Sequence, residues 1–293
     1  MAALRTQLEP MKGQLQGTGV RPQFDDMMTH TPAAAGVTYE AATVGGVAGW
    51  WCRPAAPGDP ARAVLYLHGG AYNLGSALAF RHFVGQLAAR AGVECFAPEY
   101  RLAPEHPFPA AVDDAQAAYQ GLVELGKRRI GVAGDSAGGG LALITLAWAT
   151  HHAASQPGAV APCAAVAFSP WTDLNLTSAS MNTRADADFL LTQQSLAEYA
   201  AAYLGSHEGH EVRASPLYGE LRGLPPLQLH VGDAEILRDD AMRYAERAQA
   251  ADVAAEVHVW EGMTHVFAAS LDTLEAARQA LDMAGVFLAH HLR

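Results

Sequence analysis

The chain has 293 residues, half of them hydrophobic and 17% charged, which is too apolar for disorder and long enough for one large α/β domain. Its 19 basic and 30 acidic residues leave a formal charge of −11, which argues against a polyanion-binding surface and hence against a nucleic-acid partner. The only lysines are Lys12 and Lys127, so there is no lysine-rich arm for a membrane surface.

In chain order, residues 1 to about 36 precede any strand pattern. Their opening, MAALRTQLEPMKGQLQG, has no apolar run of signal-peptide length. The longest apolar stretch, residues 141–149, is about half a membrane span. Cys52, Cys95 and Cys163 form no CxxC and read as buried free thiols, which suits a reducing cytoplasm. These features lead us to expect a cytoplasmic protein with no membrane partner.

Two strands, 37–44 and 47–53, flank Gly45-Gly46 and read as an antiparallel hairpin. From about residue 62 onward, short apolar runs alternate with helix-period segments. The runs are 63–67 (AVLYL), 93–97 (VECFA), 129–133 (RIGVA), 164–168 (AAVAF), 227–231 (LQLHV) and 256–260 (EVHVW). Helical periodicity marks 111–125, 239–251 and 271–292. Continuous apolar strands between helices imply a mostly parallel central sheet with helices on both faces. Residues 172 to about 215 are far longer than a normal connection and carry a helical stretch at 192–204. The expectation is a single α/β domain over 1–293, in which segments 1–36 and 172–215 form a helical cap on a core of 37–171 and 216–293.

Three motifs carry chemistry. Gly134-Asp135-Ser136-Ala137-Gly138 matches G-x-S-x-G between a strand and an apolar helix, the context in which a tight turn presents a nucleophilic serine. A phosphate-binding turn is the alternative, but Leu143 stands where G-x-G-x-x-G needs its third glycine, and no G-K-[ST] occurs. His68-Gly69-Gly70-Ala71 follows the strand AVLYL. Alone it reads as a turn; beside a nucleophile elbow, its backbone N–H groups, with that of Ala137, can form an oxyanion hole. His68 reads as a brace for this loop. His265 follows the strand EVHVW and is the candidate base, since open α/β sheets bind ligands at the carboxyl ends of their strands. His151-His152 and His290-His291 sit near helix ends, and His207-x-x-His210 with Glu208 and Glu211 falls short of a metal site. After LQLHV both Asp233 and Glu235 qualify as the acid that orients the base, and position alone does not separate them.

Taken together, HGGA, EYRLAPEHPFPAAVDD, GDSAGGG, GDAEILRDDAMRYAERA and WEGMTHVF, in that order, resemble the hormone-sensitive-lipase-like branch of the α/β-hydrolases over about residues 60–293. The resemblance implies an α/β-hydrolase fold and a serine carboxylesterase, with a small-molecule ester as partner and neither metal nor cofactor; crowding of the acyl side by Ala71, Tyr72, Phe189, Leu190 and Leu191 leads us to expect short acyl esters. It makes Ser136 the nucleophile and His265 the base. Because ILRDDAMRYA is similar to the stretch that follows the family's acid, it selects Glu235, with Asp233 as runner-up. Gly69, Gly70 and Ala71 match the oxyanion loop, and Ala71 departs from a frequent third glycine. Tyr72, Phe189, Leu190 and Leu191 are the expected pocket-wall residues. A non-catalytic small-molecule receptor, or a lactone, amide or acetyl-ester hydrolase with the same triad, are the rival readings. The edge strand or the final helix can support a homodimer.

Overall fold

A computed structural model describes residues 5, 6, 9–56 and 58–293; of the N-terminal cap segment, residues 1–4, 7 and 8 therefore lie outside the described residues. Eight strands form one sheet: β1 (Val37–Val44), β2 (Val47–Pro54), β3 (Arg62–Leu67), β4 (Cys95–Pro98), β5 (Arg129–Asp135), β6 (Ala164–Phe168), β7 (Leu227–Gly232) and β8 (Ala255–Trp260). Their spatial order is β1-β2-β4-β3-β5-β6-β7-β8. The pairings of β2 with β1 and with β4 are antiparallel, and all the others are parallel. Strands β5, β6 and β7 are buried at nearly every position, as their unbroken apolar runs require when both faces are covered. Edge strand β1 is mostly exposed or half-buried. Gly45 and Gly46 turn the hairpin with φ of 60° and 79°, angles that a side chain at either position would resist.

The helices are α1 (Arg21–Thr29), α2 (Ala77–Ala91), α3 (Ala110–Glu124), α4 (Ser136–Ser155), α5 (Ser180–Thr183), α6 (Gln193–Leu204), α7 (Arg238–Ala250) and α8 (Glu275–His291). Side chains of α3, α4 and α7 share one buried cluster, and those of α2 and α8 share another on the opposite face. Full burial of each Leu or Phe in these clusters contributes roughly 1.5–3 kcal/mol. The strand expected at 93–97 begins only at Cys95, and the helix expected from residue 271 begins at Glu275. Helix α2 was not among the expected elements, although Phe80, Phe83, Val84 and Leu87 keep an i, i+3, i+4, i+7 stripe buried. Ser76 caps it by accepting from the Ala79 amide at 3.1 Å.

Cys52 and Cys95 are register partners across β2 and β4, and both are buried free thiols. Burial pushes the Cys52 thiol up to about 12. No helix among the described residues is long and apolar enough to cross a membrane.

Two segments outside the β/α alternation meet each other. The Gly13 amide donates to the Leu190 carbonyl at 3.2 Å, Lys12 Nζ donates to the Ala185 carbonyl at 2.7 Å, and the Tyr199 hydroxyl donates to the Leu15 carbonyl. Arg21, which opens α1, reaches into the core: Nε donates to the Asn73 carbonyl and Nη2 to the Ala103 carbonyl, both at 2.8 Å. The same guanidinium pairs with both oxygens of Glu105 at 2.9 and 2.7 Å.

Candidate active site

Strand β5 ends at Asp135 and α4 starts at Ser136, whose φ of 53° is left-handed. A serine held there stores roughly 1–3 kcal/mol of backbone strain, and the neighbouring structure must enforce it. The flanking glycines explain how the turn fits. A Cβ on Gly134 would lie 2.3 Å from the Gly138 carbonyl oxygen, and one on Gly138 would lie 2.2 Å from the carbonyl oxygens of both Leu67 and His68. The G-x-S-x-G spacing is therefore a packing requirement. Between them, buried Asp135 accepts from the Tyr66 hydroxyl at 2.7 Å and the Gly69 amide at 2.9 Å. Its burial pushes the carboxyl up to about 6 against those hydrogen bonds.

Ser136 Oγ lies 2.9 Å from His265 Nε2, and His265 Nδ1 lies 2.6 Å from Glu235 Oε2. Glu235 is fully buried, and its other oxygen accepts from Ser169 Oγ at 2.7 Å and from the Gly232 amide at 2.6 Å. Ser169 Oγ in turn accepts from the Val266 amide at 3.0 Å, so one hydroxyl spans the acid and the residue after the histidine. Asp233, the rival acid, points elsewhere: its side chain is 39% exposed and pairs with Arg184 at 3.0 Å and Arg238 at 3.4 Å. Burial works to lower the pKa of His265, but the charge and hydrogen bond of Glu235 outweigh it, with Asp188 and Asp135 adding to them, and the imidazole ends above its ordinary 6.5.

The loop after β3 needs one correction. The Gly69 amide is committed to Asp135, so of the expected oxyanion donors Gly69 drops out. The amides of Gly70 and Ala71 donate to no protein acceptor among the described residues, and that of Ala137 sits in the first turn of α4, where helix amides lack an intrahelical acceptor. His68 braces the loop: its Nδ1–H donates to the Gly69 carbonyl at 2.7 Å, and its ring stacks on Tyr100 at 4.3 Å. Burial lowers it to about 4, which keeps it neutral.

A cavity of about 350 Å³ opens above Ser136 and His265. Gly70 and Ala71 line its floor, and Leu190 and Leu191 line its wall. Two expected wall residues do not reach it. Tyr72 has φ of 62°, which turns its fully buried ring inward to stack on Tyr203 at 3.9 Å and 6°. Phe189 is 3% exposed and absent from the lining, although its two successors contribute. Among the lining residues that the sequence expectations omitted are Phe24, Met27 and Met28 of α1, and Tyr199 of α6. The signal for the first three was the i, i+3, i+4 stripe of α1. His207 of the H-x-x-H pair packs edge-on against Phe108 at 4.9 Å. Among the described residues, no group of three or more His, Cys, Asp or Glu side chains converges to hold a metal.

Residues 64–269 match a family described as having the alpha/beta hydrolase fold. An acetyl-hydrolase of Streptomyces hygroscopicus is 42% identical over 248 residues, covering 84% of this chain and 81% of that protein. An esterase of Acinetobacter venetianus is 33% identical over 283 residues, covering 96% of this chain and 90% of its own. The crystal structure of an esterase from the bacterial hormone-sensitive lipase family superposes with a TM-score of 0.91 at 35% identity, covering 99% of this chain and 98% of that one. By sequence match, strand order and helix placement, the chain belongs to the hormone-sensitive-lipase-like carboxylesterases of the α/β-hydrolase fold.

Proposed function

We propose that the protein hydrolyses short-chain acyl esters through an acyl-enzyme on Ser136, with His265 as general base and Glu235 as the acid that orients it. The observation that carries this reading is the unbroken line from Ser136 Oγ through the imidazole to Glu235, at 2.9 and 2.6 Å, on the floor of an apolar-walled cavity. In the first half-reaction His265 Nε2 takes the Ser136 proton as Oγ bonds to the ester carbonyl carbon. The carbonyl oxygen, now negative, accepts from the amides of Gly70, Ala71 and Ala137. As the C–O bond breaks, the imidazolium returns its proton to the departing alkoxide. Water then repeats the sequence on the acyl-serine, and the carboxylic acid leaves.

Short acyl length is supported by the cavity, whose volume of about 350 Å³ lies at the low end of the roughly 300–1,000 Å³ of small-molecule sites. Leu190 and Leu191 close one side of it, and Phe24 and Met28 close another. The acetyl-hydrolase relative points the same way. The test is a panel of p-nitrophenyl esters from about two to sixteen carbons, with lactones and anilides beside it. We expect an optimum at about two to six carbons, with a p-nitrophenol burst that Ser136→Ala abolishes. A preference for esters of about twelve carbons or more, or for lactones or anilides, would overturn the substrate class. Hydrolysis that survives Ser136→Ala would overturn the mechanism.

A further inference from the structure

The base is surrounded by acids. Glu235 hydrogen-bonds His265 from the loop after β7, and the charges of Asp135, at the end of β5, and Asp188, in the insertion between β6 and β7, add to its pull on the imidazole. The nearby arginines do not offset this charge: Arg184 and Arg238 both pair with Asp233. His30 and Asp272 line the same cavity. Of these three carboxylates, two have evident duties in binding His265 and bracing the loop after β3. Asp188 has none in the mechanism given above.

Asp188 is fully buried, and its side chain bonds to no cation among the described residues. Oδ1 accepts the amides of Leu190 at 2.9 Å and Leu191 at 2.8 Å. Oδ2 accepts the amide of Ile236 at 2.9 Å. The first two residues are cavity wall, and the third directly follows Glu235. Burying an ion in this way costs several kcal/mol unless hydrogen bonds and an opposite charge offset it. Three amides answer the first need only in part, since burial still pushes the Asp188 carboxyl up against them. The cation that meets the second is the imidazolium that forms at His265 in each half-reaction, where fixed charge in a water-poor site has its largest effect.

Resting on the esterase reading, we propose that Asp188 is a positioning residue of this reaction: its carboxylate fastens the Leu190–Leu191 wall to the acid loop and supplies, besides Glu235, a negative charge that favours the imidazolium of His265.

The test compares the wild type with Asp188→Asn and Asp188→Glu. The asparagine keeps the shape and an oxygen for the wall amides, but it loses the charge and turns its NH₂ toward the Ile236 N–H, so the ring pKa, and not kcat alone, separates the charge from the lost hydrogen bond. Steady-state kinetics on p-nitrophenyl acetate from pH 5 to 9 would be read beside an NMR titration of the His265 ring, assigned with His265→Gln. For Asp188→Asn we expect the midpoint of the rising limb and the ring pKa both to fall by about half a unit or more. We also expect kcat to fall about tenfold, with KM changed about twofold or less. Asp188→Glu, which retains the charge, should hold the ring pKa within about 0.2 units of wild type. An unchanged ring pKa in Asp188→Asn overturns the proposal, and a lower kcat without that change leaves only a packing role. If the asparagine variant does not fold, a ring pKa in Asp188→Glu lowered by half a unit or more overturns it equally. Because the ring titration needs no turnover, it reads Asp188 even if the wild type shows no Ser136-dependent ester cleavage; that result would sink the esterase reading alone.

Discussion

Glu235→Gln should reduce kcat by about 10⁴, and the reason lies in its second oxygen. Oε1 of Glu235 receives two donors, the Gly232 amide at 2.6 Å and Ser169 Oγ at 2.7 Å. A glutamine must put its single oxygen there, because its NH₂ would meet a backbone N–H that cannot turn away. The NH₂ then faces His265 Nδ1, where the carboxylate stood at 2.6 Å. Nδ1 becomes the acceptor, the ring proton moves to Nε2, and Nε2 points that proton at Ser136 Oγ, 2.9 Å away. The serine has lost its base to a tautomer. The equivalent amide substitution in a serine protease costs about 10⁴ in kcat, equal to about 5.4 kcal/mol of transition-state stabilisation. The assay is kcat on p-nitrophenyl acetate, with the fold checked by circular dichroism. Asp233→Asn, in a half-buried ion pair with two arginines that does not touch His265, should cost about tenfold or less. Retention of more than about 1% activity in folded Glu235→Gln would refute the tautomer argument. A larger loss in Asp233→Asn than in Glu235→Gln would transfer the acid role to Asp233.

Because the base must be neutral and its pKa is held above 6.5 by Glu235 and its neighbouring carboxylates against the effect of burial, kcat/KM should rise with pH through a midpoint above 6.5. A midpoint at 6 or below in a pH–rate profile would contradict that balance. Gly138→Ala would press a methyl to 2.2 Å from two carbonyl oxygens. Overpacking of this kind costs about 1–3 kcal/mol, and a urea midpoint equal to wild type would refute the packing account of the motif. Arg21→Gln removes the hold on the Asn73 carbonyl and the Glu105 pair. Since Asn73 lies just beyond Gly70 and Ala71, kcat should fall about threefold or more, and an unchanged kcat would show that the loop stands without α1.

The sheet and the candidate nucleophile were legible because local chemistry writes them into contiguous strings. An unbroken apolar strand must be buried on both faces, and a serine between close-approach glycines has few other uses. The choice between Asp233 and Glu235 was not physically legible. The two residues stand two apart, and only the turn after β7 sends one inward to His265 and the other out to Arg184 and Arg238. Tyr72 and Phe189 misled because adjacency to a site in sequence says nothing of side-chain direction where φ is positive or a turn intervenes. Gly69 misled for another reason, as its amide had a nearer acceptor in Asp135. Asp188 did carry a signal. An Asp whose side chain accepts amides two and three residues ahead follows the Asx-turn pattern, and D-F-L-L at 188–191 permits it, but no pattern foretells the third bond to Ile236.

The fasteners that hold the cavity's outer walls have one property in common: they grip main-chain atoms. Arg21 holds the carbonyls of Asn73 and Ala103, Tyr199 holds that of Leu15, Gly13 bonds the carbonyl of Leu190, and Asp188 holds three amides. Every residue except proline offers the same N–H and C=O, so these grips do not read the side chains at Leu15, Leu190 or Leu191. Those side chains can be exchanged for larger or smaller ones while the scaffold that presents them stays bolted in place. Substrate range in this molecule is thus a replaceable lining, separable from the machinery beneath it, and a library confined to residues 15, 190 and 191 should alter what is cleaved far more readily than whether the chain folds.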